Sequence, residues 1–228
     1  MNILVMVAHP DDPEFFAGAS IARWVAEGNT VRYVIVTSGN KGNDDPTRTI
    51  DALIAMREVE QRNAAAALGV HEVVFLRHHD GELVNTLALQ RELVREIRAF
   101  NPDIVVTSDH ETVHHQARGI NHNDHRVMGM AVCDAIFPAS GNRMFFPELL
   151  AAGSSMHAPK EVWFTGPIHP NHLHDVTDYI ETKCVGIRCH ISQVKDMTGV
   201  TMRIRQGALR MLADGSVRYM ETFRRVML

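Results

Sequence analysis

The feature that most restricts this chain is a fourfold repetition in its first half: a short apolar run, then a longer segment of helical composition. Asn2–Val7 is almost wholly apolar, and Thr30–Thr37 (TVRYVIVT), Glu72–Leu76 and Ile104–Ser108 are the later short runs. Such runs read as buried strands of a parallel sheet. Between them, Ala17–Glu27 stops at Gly28, Thr49–Leu68 is alanine-rich and closes at Gly69, and Thr86–Phe100 carries Leu89, Leu93, Ile97 and Phe100 on one helical face. The pattern is βαβαβαβ. It predicts a Rossmann-like, doubly wound, mostly parallel α/β sheet with helices on both faces, in a single domain over residues 1–228.

The second half is less regular. Phe137–Lys160 has no clear periodicity, and the irregular region extends over about 137–175. Glu161–Phe164 reads as a strand, and Thr177–His190 and Val200–Leu212 read as helices. A net charge of −4 on 228 residues, 45% of them hydrophobic, excludes a disordered chain and disfavours generic nucleic-acid binding. No apolar run reaches the ~20 residues that span a bilayer, so no membrane partner is expected. Met1–Val7 lacks a basic leader and reads as a strand. Three cysteines without a C-x-x-C point to a reduced, cytoplasmic protein.

Histidine is enriched, at 14 of 228 residues. Ligands of open α/β sheets bind beyond the carboxyl ends of the strands, and two histidine-bearing segments stand there. Ala8-His9-Pro10-Asp11-Asp12-Pro13-Glu14 follows the first strand, and Asn121-His122-Asn123-Asp124-His125-Arg126 leads into a helix at Val127–Ala135. Taken alone, each has an ordinary reading, as a His-Pro turn or a helix cap. Together, His9/Asp12 and His122/His125, each pair three residues apart, would give a site of two histidines and one carboxylate with a vacant position, the form of a hydrolytic zinc centre. Asp11 would stay free beside it as a base.

The first segment resembles the N-terminal signature of the PIG-L/LmbE-like family of zinc-dependent N-acetylglucosaminyl deacetylases, and His122-Asn123-Asp124-His125 is similar to that family's His-Pro-Asp-His motif, with Asn123 in place of proline. Arg57-x-x-Glu60, Asp80-Gly81-Glu82-Leu83, Lys183 through His190-Ile191-Ser192-Gln193, and Glu221-x-Phe223 extend the likeness over most of the chain. The resemblance implies that His9, Asp12 and His125 bind the metal, zinc first and iron(II) as the other divalent choice. It implies Asp11 as general base, a protonated His122 oriented by Asp124 at the oxyanion or leaving amine, and His190 over the active site. Arg57 and Asp80 are implied as substrate contacts, and Glu14 as support behind the ligands. The implied partner is a small N-acetylated amino sugar, and the implied assembly a homo-oligomer, trimer or hexamer.

Two other functions compete. A zinc-dependent hydratase of an unsaturated dicarboxylate could use the same centre, with Lys41, Arg57 and Arg126 as sources of cationic groups; a non-catalytic binding module would have no use for a free base. Four further segments read as structural. His110 and His114-His115 lie in a solvated loop rather than a second metal site, and His169, His172 and His174 form a rim around a turn. The Ser38–Asn43 loop lacks phosphate-loop spacing and shapes the pocket. Met144–Pro147 reads first as core packing and second as an oligomer or lid contact.

Overall fold

A computed structural model describes residues 1–43, 45–115 and 119–228. Its strands are β1 (Asn2–Val7), β2 (Thr30–Thr37), β3 (Glu72–His78), β4 (Ile104–Ser108), β5 (His114–His115), β6 (Gly119–Ile120), β7 (Glu161–Thr165), β8 (His172–Asp175), β9 (Leu209–Met211) and β10 (Val217–Met227). Its α-helices are α1 (Asp12–Ala26), α2 (Ile50–Ala67), α3 (Leu87–Phe100), α4 (Asn123–Asp134), α5 (Pro147–Ala151), α6 (Ile180–Ile187) and α7 (Met197–Ala208). The main sheet runs β3-β2-β1-β4-β7-β10-β8, with β9 added to β10. Its first five strands are mutually parallel. β10 is antiparallel to both its neighbours, which makes the sheet mixed at one edge.

Alternation along β1 builds two cores. Leu4, Met6 and Ala8 face Leu89, Leu93 and Ile97 of α3 and Met128 of α4. Ile3, Val5 and Val7 face Ile21 and Trp24 of α1 and Ala65 of α2. Both sets are essentially inaccessible, as a strand covered on two faces requires. The doubly wound reading therefore holds, with the antiparallel edge as its refinement.

Five local readings differ from the structure. α1 begins at Asp12 instead of Ala17, because Pro13 is tolerated in a first turn; Ala17, at φ −136°, ψ 15°, is a kink where the regular helix resumes. α4 likewise begins at Asn123, four residues before the expected Val127. The last helix stops at Ala208, and Leu209–Met211 turns out to pair with β10. His172 and His174 are not rim residues: both lie in β8, where His174 is buried, stacks on Trp24 and bonds through Nδ1 to Ser20 Oγ at 2.8 Å. Met144 is 73% exposed, so only Phe146 of its segment packs against the core.

The irregular stretch after α4 has its own organiser. Arg98 of α3 is 1% exposed and directs its guanidinium at backbone oxygens, donating to Ala139, Ser140, Asn142 and Phe145 at 3.0 Å and to Phe146 at 3.3 Å. Most of these oxygens also accept a backbone N–H, so the guanidinium ties together turns that the backbone has already begun.

Candidate active site

The sheet order reverses between β1 and β4, and the carboxyl ends of these neighbours open a crevice. From β1 the chain turns through His9-Pro10-Asp11 into α1. The turn is closed by Asp12 N–H donating to His9 O at 3.3 Å and by His9 N–H donating to Asp12 Oδ2 at 2.8 Å. Asp11 sits at φ 92°, ψ −28°, a region that side chains with a Cβ rarely occupy. Gln61 of α2 holds it there, accepting the Asp11 N–H at 2.7 Å. Across the crevice, His122 is the cap of α4, its Nδ1 accepting from Asp124 N–H at 3.2 Å, and His125 follows within the first turn.

Three acceptor-rich groups converge. His9 Nδ1 lies 3.2 Å from His125 Nε2 and 3.4 Å from Asp12 Oδ2, while His125 Nε2 lies 3.1 Å from Asp12 Oδ1. Tetrahedral bonds of 2.0–2.1 Å place neighbouring ligand atoms roughly 3.3 Å apart, so the spacing suits one divalent cation. The ring orientations suit it as well. His125 turns Nδ1 to Asn121 Oδ1 at 3.1 Å, which leaves Nε2 as the lone pair. His9 turns Nε2 toward Asp80 Oδ1 at 3.2 Å and Asp124 Oδ2 at 3.4 Å, which leaves Nδ1. A carboxylate behind a histidine fixes its tautomer in this way at metal centres.

The cation-free electrostatics show the same surplus of negative charge. Burial opposes protonation of His9, yet hydrogen bonding and charge from Asp12, with further hydrogen bonds to Asp124 and Asp80, push it up to about 12. Against its own burial, Asp12 is held well below the usual carboxylate range by His125 and His9. Asp124, also opposed by burial, is held at about 2 by His9 and by the N–H groups of Gly81 and Leu83. His9 thus takes up a proton where a cation would otherwise supply positive charge.

The remaining predicted residues fall into two groups. Asp11, Asp80, His122 and Asp124 come to the cluster. Asp11 is pushed up to about 6, chiefly by burial, with the Arg57 charge pulling the other way. His122 is pulled below its ordinary value by burial and by the His9 charge, and its Nδ1 accepts a backbone N–H, which puts a ring hydrogen on Nε2. Asp124 orients it through that backbone N–H, while its carboxylate is turned to His9, Gly81 and Leu83. Asp80 faces His9.

Arg57 and His190 lie behind the site. Arg57 is 3% exposed and donates to Gly39 O, Pro10 O and Asp11 Oδ2 at 2.9, 2.7 and 3.2 Å, so it braces Asp11 and no longer reaches outward. Gly39 (φ +61°) and Gly42 make room for it, since a Cβ on either would collide with the guanidinium. His190 is wholly buried, and its Nε2 meets Glu14 Oε2 at 3.0 Å, not the crevice. Against burial, the Glu14 carboxylate holds that ring above its ordinary value.

A family model described as "PIG-L: GlcNAc-PI de-N-acetylase" matches residues 4–136, more than half of the chain and both histidine segments. The chain belongs to the PIG-L family. Among its relatives, diacetylchitobiose deacetylase of Thermococcus kodakarensis is 31% identical over 192 residues, covering 84% of this chain and 70% of that protein. The solved N,N'-diacetylchitobiose deacetylase of Pyrococcus horikoshii, in complex with an inhibitor, superposes with a TM-score of 0.89 at 28% identity, covering 99% of this chain and 84% of that one. The 4-carboxy-2-hydroxymuconate hydratase of Pseudomonas putida shares the fold, with a TM-score of 0.82 at 19% identity over 100% of this chain and 96% of that one.

Within this PIG-L chain, three site residues went unread in the sequence. Asn121 sets the His125 tautomer. Asn40 Oδ1 accepts the Asp80 N–H at 2.8 Å. Gln61, besides holding Asp11, donates through Nε2 to both Glu14 oxygens at 3.1 Å. Gln61 had a signal: Arg57, Glu60 and Gln61 share the spacing of Leu53, Ala64 and Ala65, which puts polar groups on the buried face of α2. Among the described residues, the groups able to hold a cation are His9/Asp12/His125 and His9/Asp80/His122/Asp124.

Proposed function

We propose that the chain is a metal-dependent N-deacetylase that hydrolyses the acetamide of an N-acetylated amino sugar of the N-acetylglucosamine type. The observation that carries this reading is the convergence of His9 Nδ1, the Asp12 carboxylate and His125 Nε2 at 3.1–3.4 Å, with Asp11, braced by Arg57, next to Asp12 in the chain. The named deacetylases among the relatives support the substrate class. His9, Asp12 and His125 would hold the cation, zinc first, which when bound supplies a Lewis acid for the acetyl carbonyl and acidifies water.

The chain's own groups supply the rest. Asp11, lifted by burial to about 6, takes the proton of the attacking water, as a base tuned near the working pH does efficiently. Arg57 and Gln61 hold it in its left-handed turn. The ring of His122, with its hydrogen on Nε2, donates to the oxygen on which negative charge develops. When the C–N bond breaks, the proton held by Asp11 passes to the leaving amine, and acetate and the free amino sugar result. Asp80 and Asp124 keep His9 turned the right way throughout.

The three cationic groups that the sequence offered for a dicarboxylate hydratase are engaged within the fold. Arg57 is a buried brace, Lys41 pairs with Glu82 at 2.6 Å, and Arg126 donates to Asn121 O at 2.6 Å. The test is acetate release by the metal-reconstituted protein from a panel of N-acetylglucosamine conjugates, beside a chelated control. Chelator-sensitive release is the expected result. A protein that holds its metal and releases no acetate from any member overturns the reading.

A further inference from the structure

The crevice continues into a cavity of about 620 Å³ between the first turn of α1, the end of α7 and β10, within the range that holds a small organic ligand. Asp12 stands at its inner corner, so the cavity reaches the cluster itself. Phe15 and Phe16, both half-buried, form one wall, and the Phe16 ring meets His125 edge-on at 5.4 Å. Ile204 faces the cavity from α7.

Its charge is unbalanced in one direction. Lys183 and Glu221 neutralise each other at 2.6 Å, and Asp12 is matched by the histidines beside it. Arg203 and Arg210 also line the cavity, and among the described residues no carboxylate pairs with either. Arg205, on the same helix and outside the cavity, is by contrast held in a fork by Glu181 at 2.6 and 2.7 Å. Arg210 is anchored from behind, donating through Nη1 to Gly207 O and Leu209 O. Two guanidinium groups beside an aromatic wall suit a planar anion, which they can grip through paired N–H donors.

We propose that this cavity takes the portion of the substrate beyond the amino sugar, and that this portion carries a carboxylate or phosphate next to an apolar body. The proposal rests on the deacetylase reading for its kinetic test, but not for its binding test. Acetate release is compared for phenyl, 4-carboxyphenyl and 4-phosphonophenyl glycosides of N-acetylglucosamine. The two anionic glycosides are expected to exceed the phenyl glycoside by about tenfold in kcat/KM, the scale of one charge-assisted contact. In R203Q/R210Q that ratio should fall close to one. The better of the two anionic glycosides identifies the group.

Binding of 4-carboxyphenyl glucoside, which has no acetamide, is measured by calorimetry on the same metal-loaded proteins. It should weaken about tenfold in the double variant. Acetate release without any preference for the anionic glycosides, or a preference that survives in the double variant, overturns the cavity assignment and leaves the deacetylase reading standing. Binding that is lost in the double variant, with no acetate released from any glycoside, does the reverse.

Discussion

Two buried polar clusters in this molecule are built on opposite principles. Around Arg98, one cation meets five backbone oxygens, so donors and acceptors match and the cluster is complete. Around His9, acceptors face acceptors: two imidazole lone pairs and a carboxylate point at one another, with further carboxylates behind them. The first needs nothing more and fixes a loop. The second is short of positive charge, and in cation-free protein it is balanced only by protonating His9. A surplus of lone pairs in a buried space, more than histidine content, separates a ligand site from a brace.

That contrast can be broken from either side. The largest effect is expected from His125→Ala, which removes a ligand: metal content and turnover should both collapse, turnover by about 10⁴-fold, the scale of the several kcal/mol a metal supplies. Elemental analysis alongside acetate release checks it. Asp11→Asn should lower turnover by about 10²–10⁴-fold while metal stoichiometry stays at the wild-type value, since only the base is lost. An Asp11 variant that is folded but metal-free would show that Asp11 and Asp12 have been given each other's roles.

On the other side, Arg98→Met removes five contacts to backbone oxygens without touching the site. Denaturant unfolding should show a loss of about 3 kcal/mol, the scale of several hydrogen bonds from one charged group given up together, with metal binding retained. The smallest effect concerns Arg57→Gln. Asp11 must be ionised to accept a proton, so activity falls as pH drops through its pKa, about 6 without the cation and lower with it. Without the Arg57 charge, which favours the ionised carboxylate, the acid limb of the kcat/KM profile should move to higher pH. A limb that stays put would mean that another group titrates there.

The sequence reading succeeded where burial and chemistry agree. β1, β2 and β4 are apolar on both faces, and the segments that follow β1 and β4 carry His9, Asp12, His122 and His125. It failed where they conflict. β10 places Glu221 in a buried position, matched by Lys183 from α6, and this charge interrupts the alternation by which a strand is recognised. The π-helical turn at Ala135–Ser140 and the loop after it are specified by Arg98, some forty residues earlier, so no local pattern announces them. His190 and Arg57 were expected over the site and at the substrate, and the fold turns both inward. Which side of a loop such a residue occupies depends on Glu14, Gly39 and Pro10, which only the folded chain brings near.

The Arg98 cluster also bears on how this chain can vary. Ala139, Ser140, Asn142, Phe145 and Phe146 are gripped through their carbonyl oxygens, an atom every residue type carries. Substitutions at the exposed positions of this stretch therefore leave the grip itself unchanged, while loss of the single arginine on α3 releases all five oxygens together. The segment is a surface whose side chains are free to drift and whose shape is inherited from one distant codon.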